Sequence, residues 1–203
     1  TIAHKNNILC FRGSEDDKLQ RWYDAAKHNK INNIVTVDGD DLFCEPELIL
    51  KAFQQLEDNT TIDFIKGDHT GLICGLFTYA FTFESLKRVI NLKNSSNTEM
   101  MWVYFTDTGI FNIKELENIN KNFYREDIRM TLDYQEDLEF FNVVLKHSEQ
   151  LLVYIYEILY IIDTYPDIKN ININRKIDWL NNQEEHKKLE LKNGLKFSGN
   201  EIK

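Results

Sequence analysis

The sequence predicts an α/β protein with a mainly parallel or mixed sheet flanked by helices. Short β-branched runs alternate with amphipathic helical patterns, as expected when crossover helices join the strands of one sheet. Acidic clusters follow two of the predicted strands. A chain of 203 residues is long enough for one well-packed domain, so we expect these elements to share a single core.

The first half of the chain alternates strand and helix. Residues 7–11 predict a short buried strand, and residues 15–28 predict a helix because their apolar side chains recur at helical spacing. The β-branched run 34–37 predicts a second strand. Proline favours the first turn of a helix and opens the one predicted over residues 46–56. Residues 62–66 predict a third strand.

The second half continues this alternation. In chain order we predict a glycine-interrupted strand over residues 71–81, helices over 84–90 and 98–105, strands over 109–113 and 129–132, and helices over 136–146, 150–165 and 179–191. Pro166 ends the helix before it. We assign residues 1–175 to one α/β domain and residues 176–203 to a polar C-terminal helix and tail.

Composition indicates which partners the protein is not expected to bind and which cell compartment suits its cysteines. The net charge of −9 repels nucleic-acid backbones and anionic membranes, so neither is expected as a partner. The apolar run 151–162 is too short to cross a bilayer and contains Glu157. Cys10, Cys44 and Cys74 lie far apart, which predicts neither a zinc site nor a disulfide framework and favours the reducing cytoplasm.

Asp40 and Asp133 are the first candidates for chemistry. Asp40 follows the strand 34–37 within Asp38-Gly39-Asp40-Asp41, and Asp133 follows the strand 129–132. Sheets of this class bind ligands at the carboxyl ends of their strands, and two carboxylates in one cleft suit Mg²⁺ on a nucleotide phosphate. The simpler alternatives are an acidic turn at Asp40 and a helix cap at Asp133.

Two further features bear on ligand binding. Gly39 lets the chain turn sharply after Asp38 and lets a phosphate approach the backbone, so both are assigned to nucleotide binding. Arg12, Gly13 and Ser14 form a turn before a helix and are expected to contact the base or ribose. The alternative for this turn is that Ser14 caps the helix and Arg12 is exposed.

Other polar and aromatic residues are given structural roles. Residues 66–69 are predicted to form a solvated loop, with a pocket lining as the alternative. Trp102 and Trp179 are expected in the core or an interface, and Asp137 and Glu139 on solvated helix faces.

Three segments resemble one family. They are FRGSEDDKLQRWY at residues 11–23, VDGDDLFCEPELI at residues 37–49 and RMTLDYQEDLEF at residues 129–140. They are similar to motifs of the spore-coat-polysaccharide type of cytidylyltransferase, which is related to the acylneuraminate and 3-deoxy-manno-octulosonate cytidylyltransferases. The resemblance covers most of residues 7–175.

The resemblance implies a fold of the nucleotide-diphospho-sugar-transferase (Rossmann-like) type. It implies an enzyme that joins CTP to a sugar or sugar-acid acceptor, releases pyrophosphate and serves surface polysaccharide or glycan biosynthesis. Asp40 and Asp133 match the family's Mg²⁺-binding, catalytic aspartates, and Arg12 matches an arginine near the nucleotide. Because relatives commonly form dimers, we expect a homodimer.

The sequence departs from the family in three places. Leu42 and Gln135 stand where relatives have prolines. No Gly/Arg/Lys-rich loop for the triphosphate precedes residue 7, so we expect the family's N-terminal segment to be missing. Two other functions are therefore weighed: a glycosyltransferase whose Asp38-x-Asp40 motif holds a metal, and a non-catalytic domain that binds a nucleotide or a partner.

Overall fold

The computed structural model describes residues 2–67, 71–148 and 152–192, together with the backbone of 197–198 and 201–202. The α-helices are α1 (Ile2–Lys5), α2 (Lys18–Asn29), α3 (Pro46–Asp58), α4 (Phe83–Leu92), α5 (Val103–Thr106), α6 (Gln135–His147), α7 (Ile155–Thr164) and α8 (Arg175–His186). The strands are β1 (Asn33–Thr36), β2 (Phe64–Lys66), β3 (Tyr79–Thr82), β4 (Ile113–Glu115), β5 (Phe197–Ser198) and β6 (Glu201–Ile202). Two 3₁₀ helices span Lys121–Phe123 and Pro166–Ile171.

Four strands form a mixed sheet in the order β1-β3-β2-β4. β3 pairs antiparallel with both β1 and β2, whereas β2 and β4 are parallel. β1, β2 and β4 therefore run in the same direction, with β3 reversed between them. The predicted α/β class is confirmed, and parallel pairing is limited to one pair because β3 is inserted in the sheet.

Both faces of the sheet are covered. Ile65 and Ala80 belong to a core with the apolar faces of α3, α6 and α7. Their neighbours Phe64 and Phe81 point to the opposite face and pack with Leu19 of α2, Leu86 of α4 and Phe105 of α5. Alternation along each strand thus divides the apolar side chains between two cores, with helices covering each face.

Two predicted strands are wrong. Residues 7–11 pair with no strand among the described residues, and Leu9 is 88% exposed. Residues 129–132 are extended, but their hydrogen bonds go to different segments: Met130 N–H donates to Cys74 O (2.8 Å) and Leu132 N–H donates to Asp40 O (3.0 Å). A strand needs successive bonds to one neighbour, which neither segment has.

The helix predictions were correct in position and less so in extent. Those over 46–56, 84–90 and 136–146 are confirmed as α3, α4 and α6. The helix expected over 98–105 is shortened to α5, and the one expected over 179–191 begins at Arg175 and ends at His186. Asp68 and His69 of the predicted polar loop, and tail residues 193–196, 199–200 and 203, lie outside the described residues.

None of the helices in the described part of the chain has the length and apolar content that a membrane span requires.

Candidate active site

A cavity of about 850 Å³ lies at the carboxyl ends of β1 and β2. The turn Asp38–Asp41 follows β1 and lines it, as does Gly67 after β2. This is the edge of the sheet at which α/β proteins bind ligands. Further walls come from residues 71–75, 77–79 and 99–102, from Thr131 and Asp133, and from α8, whose contributing residues are Lys176, Trp179, Leu180, Asn182, Gln183 and His186.

The structure brings Asp40 and Asp133 to this one cavity. The backbone of Leu132, next to Asp133, donates to Asp40 O at 3.0 Å and so joins the two turns. Asp133 contributes to the raised pKa of Asp40, as a like charge nearby should. The two residues are thus neighbours, while their roles as catalytic groups and metal ligands stay predictions.

Asp133 is not the cap of α6, so the helix-cap alternative for Asp133 is wrong. Tyr134 is the N-cap of α6, and the carboxylate of Asp137, in the first turn, accepts from the backbone N–H groups of Asp133 and Tyr134 at 2.9 Å each. Glu136 pairs with Arg175 at 2.7 Å. Asp137 is fully buried, which also overturns its predicted place on a solvated face.

Two donors hold the Asp133 side chain. Arg129 Nη2 donates to Asp133 Oδ2 at 2.5 Å, and Thr131 Oγ1 donates to the same oxygen at 3.0 Å. Among the described residues no donor contacts Oδ1. One oxygen of this carboxylate therefore fixes its orientation, and the other is available to a cation in the cavity.

Crowding of carboxylates perturbs their ionisation. Burial raises the pKa of Asp40, and Asp133 and Asp38 add to the rise against the opposing effects of its own backbone N–H and Lys18. Burial raises the pKa of Asp41 to about 7, with Asp40 and Asp38 adding to the rise and a hydrogen bond from Thr78 opposing it. A cation bound here would relieve this repulsion.

Replacing Asp41 with asparagine should stabilise the metal-free protein more at high pH than at low pH. The folded-state pKa of about 7 lies above the ordinary value of 3.8, so the folded state binds more protons between them. The contribution of Asp41 to stability is therefore greatest below about pH 4 and falls as the pH rises through about 7. We expect the stabilisation by Asp41→Asn to grow by about 2 kcal/mol from pH 5 to pH 8, measured by urea unfolding with EDTA. A difference independent of pH would contradict this.

The cavity also carries cationic side chains that the sequence did not single out. Lys18 Nζ lies 2.9 Å from Asp38 Oδ1, and its side chain is only 14% exposed. Arg21 Nη1 donates to the carbonyl oxygens of Ser14 (2.6 Å) and Glu15 (2.9 Å). Both lie on α2 and within the resembling segment 11–23, and their spacing of three residues along a helix was the available signal.

Arg12, Gly13 and Ser14 do not line the cavity, and all three are exposed. Ser14 Oγ accepts from the N–H of Asp17, which is itself the N-cap of α2 and accepts from the N–H of Gln20. The alternative in which Ser14 caps the helix directly is therefore wrong. Contact of this turn with a nucleotide stays a prediction, whereas Asp38 and Gly39 do line the cavity.

Two tryptophans expected in the core or an interface line the cavity as well. Trp102 also packs against the core between β3 and α5. Trp179 extends from α8, and the Arg129 guanidinium lies over its ring at 5.5 Å. The sequence predicts a helix over residues 179–191, but only the tertiary fold shows that α8 faces the cavity.

Hard oxygen ligands dominate the acidic side of the cavity, which suits Mg²⁺. Among the described ranges 2–67, 71–148 and 152–192, no group of three or more His, Cys, Asp or Glu side chains is arranged to hold a metal ion. Mg²⁺ on a nucleotide is usually bound through one or two carboxylates, with phosphate and water completing its shell. Asp40 and Asp133 fit that requirement.

Residues 2–199 match the family model for cytidylyltransferases. The chain belongs to the cytidylyltransferase family. The match spans the three resembling segments and all the residues that line the cavity. The predicted resemblance is thereby confirmed, as is the assignment to the nucleotidyltransferases that use CTP.

The chain is also similar to individual proteins. The chain is 34% identical over 175 residues to the uncharacterized protein MJ1063 of Methanocaldococcus jannaschii, covering 85% of this chain and 70% of that protein. It is 24% identical over 165 residues to the spore coat polysaccharide biosynthesis protein SpsF of Bacillus subtilis, covering 80% and 68%. A cytidylyltransferase structure from Leptospira borgpetersenii matches with a TM-score of 0.71 at 25% identity, covering 82% and 71%.

Proposed function

We propose that this cytidylyltransferase joins CTP to a sugar or sugar-acid acceptor in a Mg²⁺-dependent reaction that releases pyrophosphate and serves surface polysaccharide or glycan biosynthesis. The observation that carries the proposal is that Asp40 and Asp133, distant in sequence, line the same cavity. The biosynthetic role is supported by the similarity to SpsF, whose name states spore coat polysaccharide biosynthesis.

The two aspartates would hold Mg²⁺ on the nucleotide. Asp133 offers the oxygen that Arg129 and Thr131 leave free, and Asp40 lies beside it with a raised pKa. When bound, the ion would neutralise the phosphate oxygens of CTP. The ammonium group of Lys18, which pairs with Asp38, would offset part of the negative charge of the turn Asp38–Asp41.

The reaction replaces one P–O bond with another. The oxygen of an acceptor hydroxyl attacks the α-phosphorus of CTP, the hydroxyl proton passes to solvent, and the bond to the pyrophosphate leaving group breaks. Positioning and charge stabilisation do most of the work in such transfers. Trp102, Trp179 and Gln183 offer ring faces and an amide to the acceptor, which suits the apolar faces and hydroxyl groups of a sugar.

The test measures pyrophosphate release from CTP with Mg²⁺ and a panel of sugar acids, amino sugars and neutral sugars. We expect release that requires CTP and one class of acceptor, stops with EDTA, and adds a CMP group to the acceptor by mass spectrometry. Release of a nucleoside diphosphate from a sugar nucleotide would instead identify a glycosyltransferase.

If no acceptor in the panel supports pyrophosphate release, thermal unfolding with CTP and Mg²⁺ tests whether the protein binds CTP at all. A specific ligand of the folded state raises the unfolding temperature by mass action. No rise at millimolar CTP and Mg²⁺ would reject the proposed function and favour a partner-binding domain of the same fold.

A further inference from the structure

Arg129 is a fully buried arginine directly behind the cavity wall. Its Nε donates to Asp137 Oδ1 at 3.1 Å, and its Nη2 donates to Asp137 Oδ2 at 3.2 Å and to Asp133 Oδ2 at 2.5 Å. Its Nη1 has no partner among the described residues. Two carboxylates, one inside the core and one at the cavity, therefore fix this guanidinium.

The fixed end of this arrangement is Asp137. Its carboxylate is fully buried and also accepts from Asn172 Nδ2 at 2.9 Å and from two backbone N–H groups at the start of α6. A carboxylate with that many donors has little freedom to move. Because Asp137 fixes Arg129, Arg129 in turn restricts the movement of the Asp133 side chain, which is 28% exposed.

The same guanidinium contacts α8. Its Cζ lies 5.5 Å from the centre of the Trp179 ring, a distance at which a cation attracts an aromatic face. None of the residues of α8, all of which are described, is fully buried, so the helix lacks a core anchor of its own. Its other ties are polar: Arg175 pairs with Glu136 at 2.7 Å, and Lys176 Nζ donates to the carbonyl of Glu126 at 3.1 Å.

We infer that Arg129 is a positioning residue that sets the orientation of Asp133 and at the same time seats α8 against the cavity through Trp179. The inference rests on the proposed function, in which Asp133 holds the metal on CTP. Arg129 is fully buried and does not line the cavity. It holds Asp133 Oδ2 and leaves Oδ1 without a donor among the described residues, and its charge attracts the Trp179 ring.

The first variant is Arg129→Lys, which keeps the charge but has one ammonium in place of a planar fork. Lysine cannot bridge Asp133 and Asp137 and also lie flat against Trp179. The binding of CTP is measured by calorimetry with Mn²⁺ in place of Mg²⁺. We expect the affinity to fall about tenfold or more. Affinity for CTP in EDTA should fall much less, because the orientation of Asp133 acts on CTP only through the metal.

The matched control is Arg125→Lys. Arg125 also bridges two aspartates, with Nε donating to Asp127 (3.0 Å) and Nη1 donating to Asp163 (2.9 Å), and it does not line the cavity. This variant should bind CTP with Mn²⁺ as the unmodified protein does. An equal loss in both arginine variants, or an equal loss with and without Mn²⁺ in Arg129→Lys, would mean a general structural effect and overturn the inference.

Trp179→Leu tests the inference if Arg129→Lys does not fold. Loss of the ring should weaken CTP binding with Mn²⁺ about threefold and make α8 easier to cut with trypsin. Ile177→Ala, at an exposed site on the same helix, should do neither. A Trp179→Leu protein that matches Ile177→Ala in both measurements would reject the coupling.

Asp133→Asn separates failure of this inference from failure of the proposed function. Unchanged Mn²⁺-dependent CTP affinity in Asp133→Asn would refute the metal role itself. Loss of that affinity in Asp133→Asn, with full affinity retained in Arg129→Lys, would leave the proposed function standing and refute the positioning role.

Discussion

Asp40→Asn and Asp133→Asn are each expected to lower kcat/KM for pyrophosphate release by about a thousandfold. Asparagine keeps the size of the side chain and, at position 133, an oxygen that can still accept from Arg129 and Thr131. What it removes is the negative charge that binds the cation. The measurement is the pyrophosphate assay with the accepted sugar and saturating Mg²⁺.

Asp163→Asn is the matched control, because Asp163 is an exposed ion-pair partner of Arg125 that does not line the cavity. It should retain full activity. Circular dichroism should show that the variants at positions 40 and 133 are folded, since neither residue is fully buried. Near-normal turnover by both variants would refute their assignment as metal ligands, whatever the acceptor proves to be.

Gly75→Ala is expected to destabilise the protein by about 3 kcal/mol or more and to displace the segment that carries Asp133. Gly75 has φ of +92°, a conformation that a side chain disfavours. A Cβ there would lie 2.2 Å from the carbonyl oxygen of Met130 and 2.6 Å from its carbon. Because both contacts are with backbone, rotation of a side chain cannot relieve them. Urea unfolding gives the free energy of unfolding.

The displacement has a direction. Residues 130–132 are held between Cys74, which accepts from Met130 N–H at 2.8 Å, and Asp40, which accepts from Leu132 N–H at 3.0 Å. Pushing Met130 away from Gly75 strains both bonds and moves Asp133 relative to Asp40. We therefore expect the variant to lose Mn²⁺-dependent CTP affinity even at temperatures where it is folded.

Gly39→Ala is the control for the stability measurement. An added Cβ at Gly39 meets no atom within 4 Å, so the free energy of unfolding should change by less than about 0.5 kcal/mol. Equal stability of the Gly75→Ala and Gly39→Ala proteins would show that residues 130–131 can move aside without cost.

Local patterns were sufficient for the elements whose signals lie within a few residues. α3 begins at Pro46, as its first-turn preference predicts, and β1 follows the β-branched run at 34–37 within one residue. The same patterns failed at residues 7–11 and 129–132. Those runs have the composition of strands, but being a strand depends on a neighbour that composition does not supply.

The site shows the same division. Acidic residues after β1 and before α6 could be recognised in the sequence. The resemblance of three segments to one family predicted the chemistry of these residues. Which acid accepts from the backbone N–H groups at the start of α6 could not be recognised, because Asp133 and Asp137 both suit the start of a helix. Burial beside Arg129 and Asn172 gives that role to Asp137 and leaves Asp133 for the cavity.

Sequence alone predicted the α/β class and the family and singled out the two aspartates as candidates, because periodicity and short motifs are properties of neighbouring residues. The cavity walls were settled only in three dimensions. Lys18, Trp179 and the backbone contact at Gly75 join parts of the chain far apart in sequence, and their roles depend on distances that no local pattern encodes. Packing of α2, α8 and residues 130–133 around the ends of β1 and β2 sets those distances.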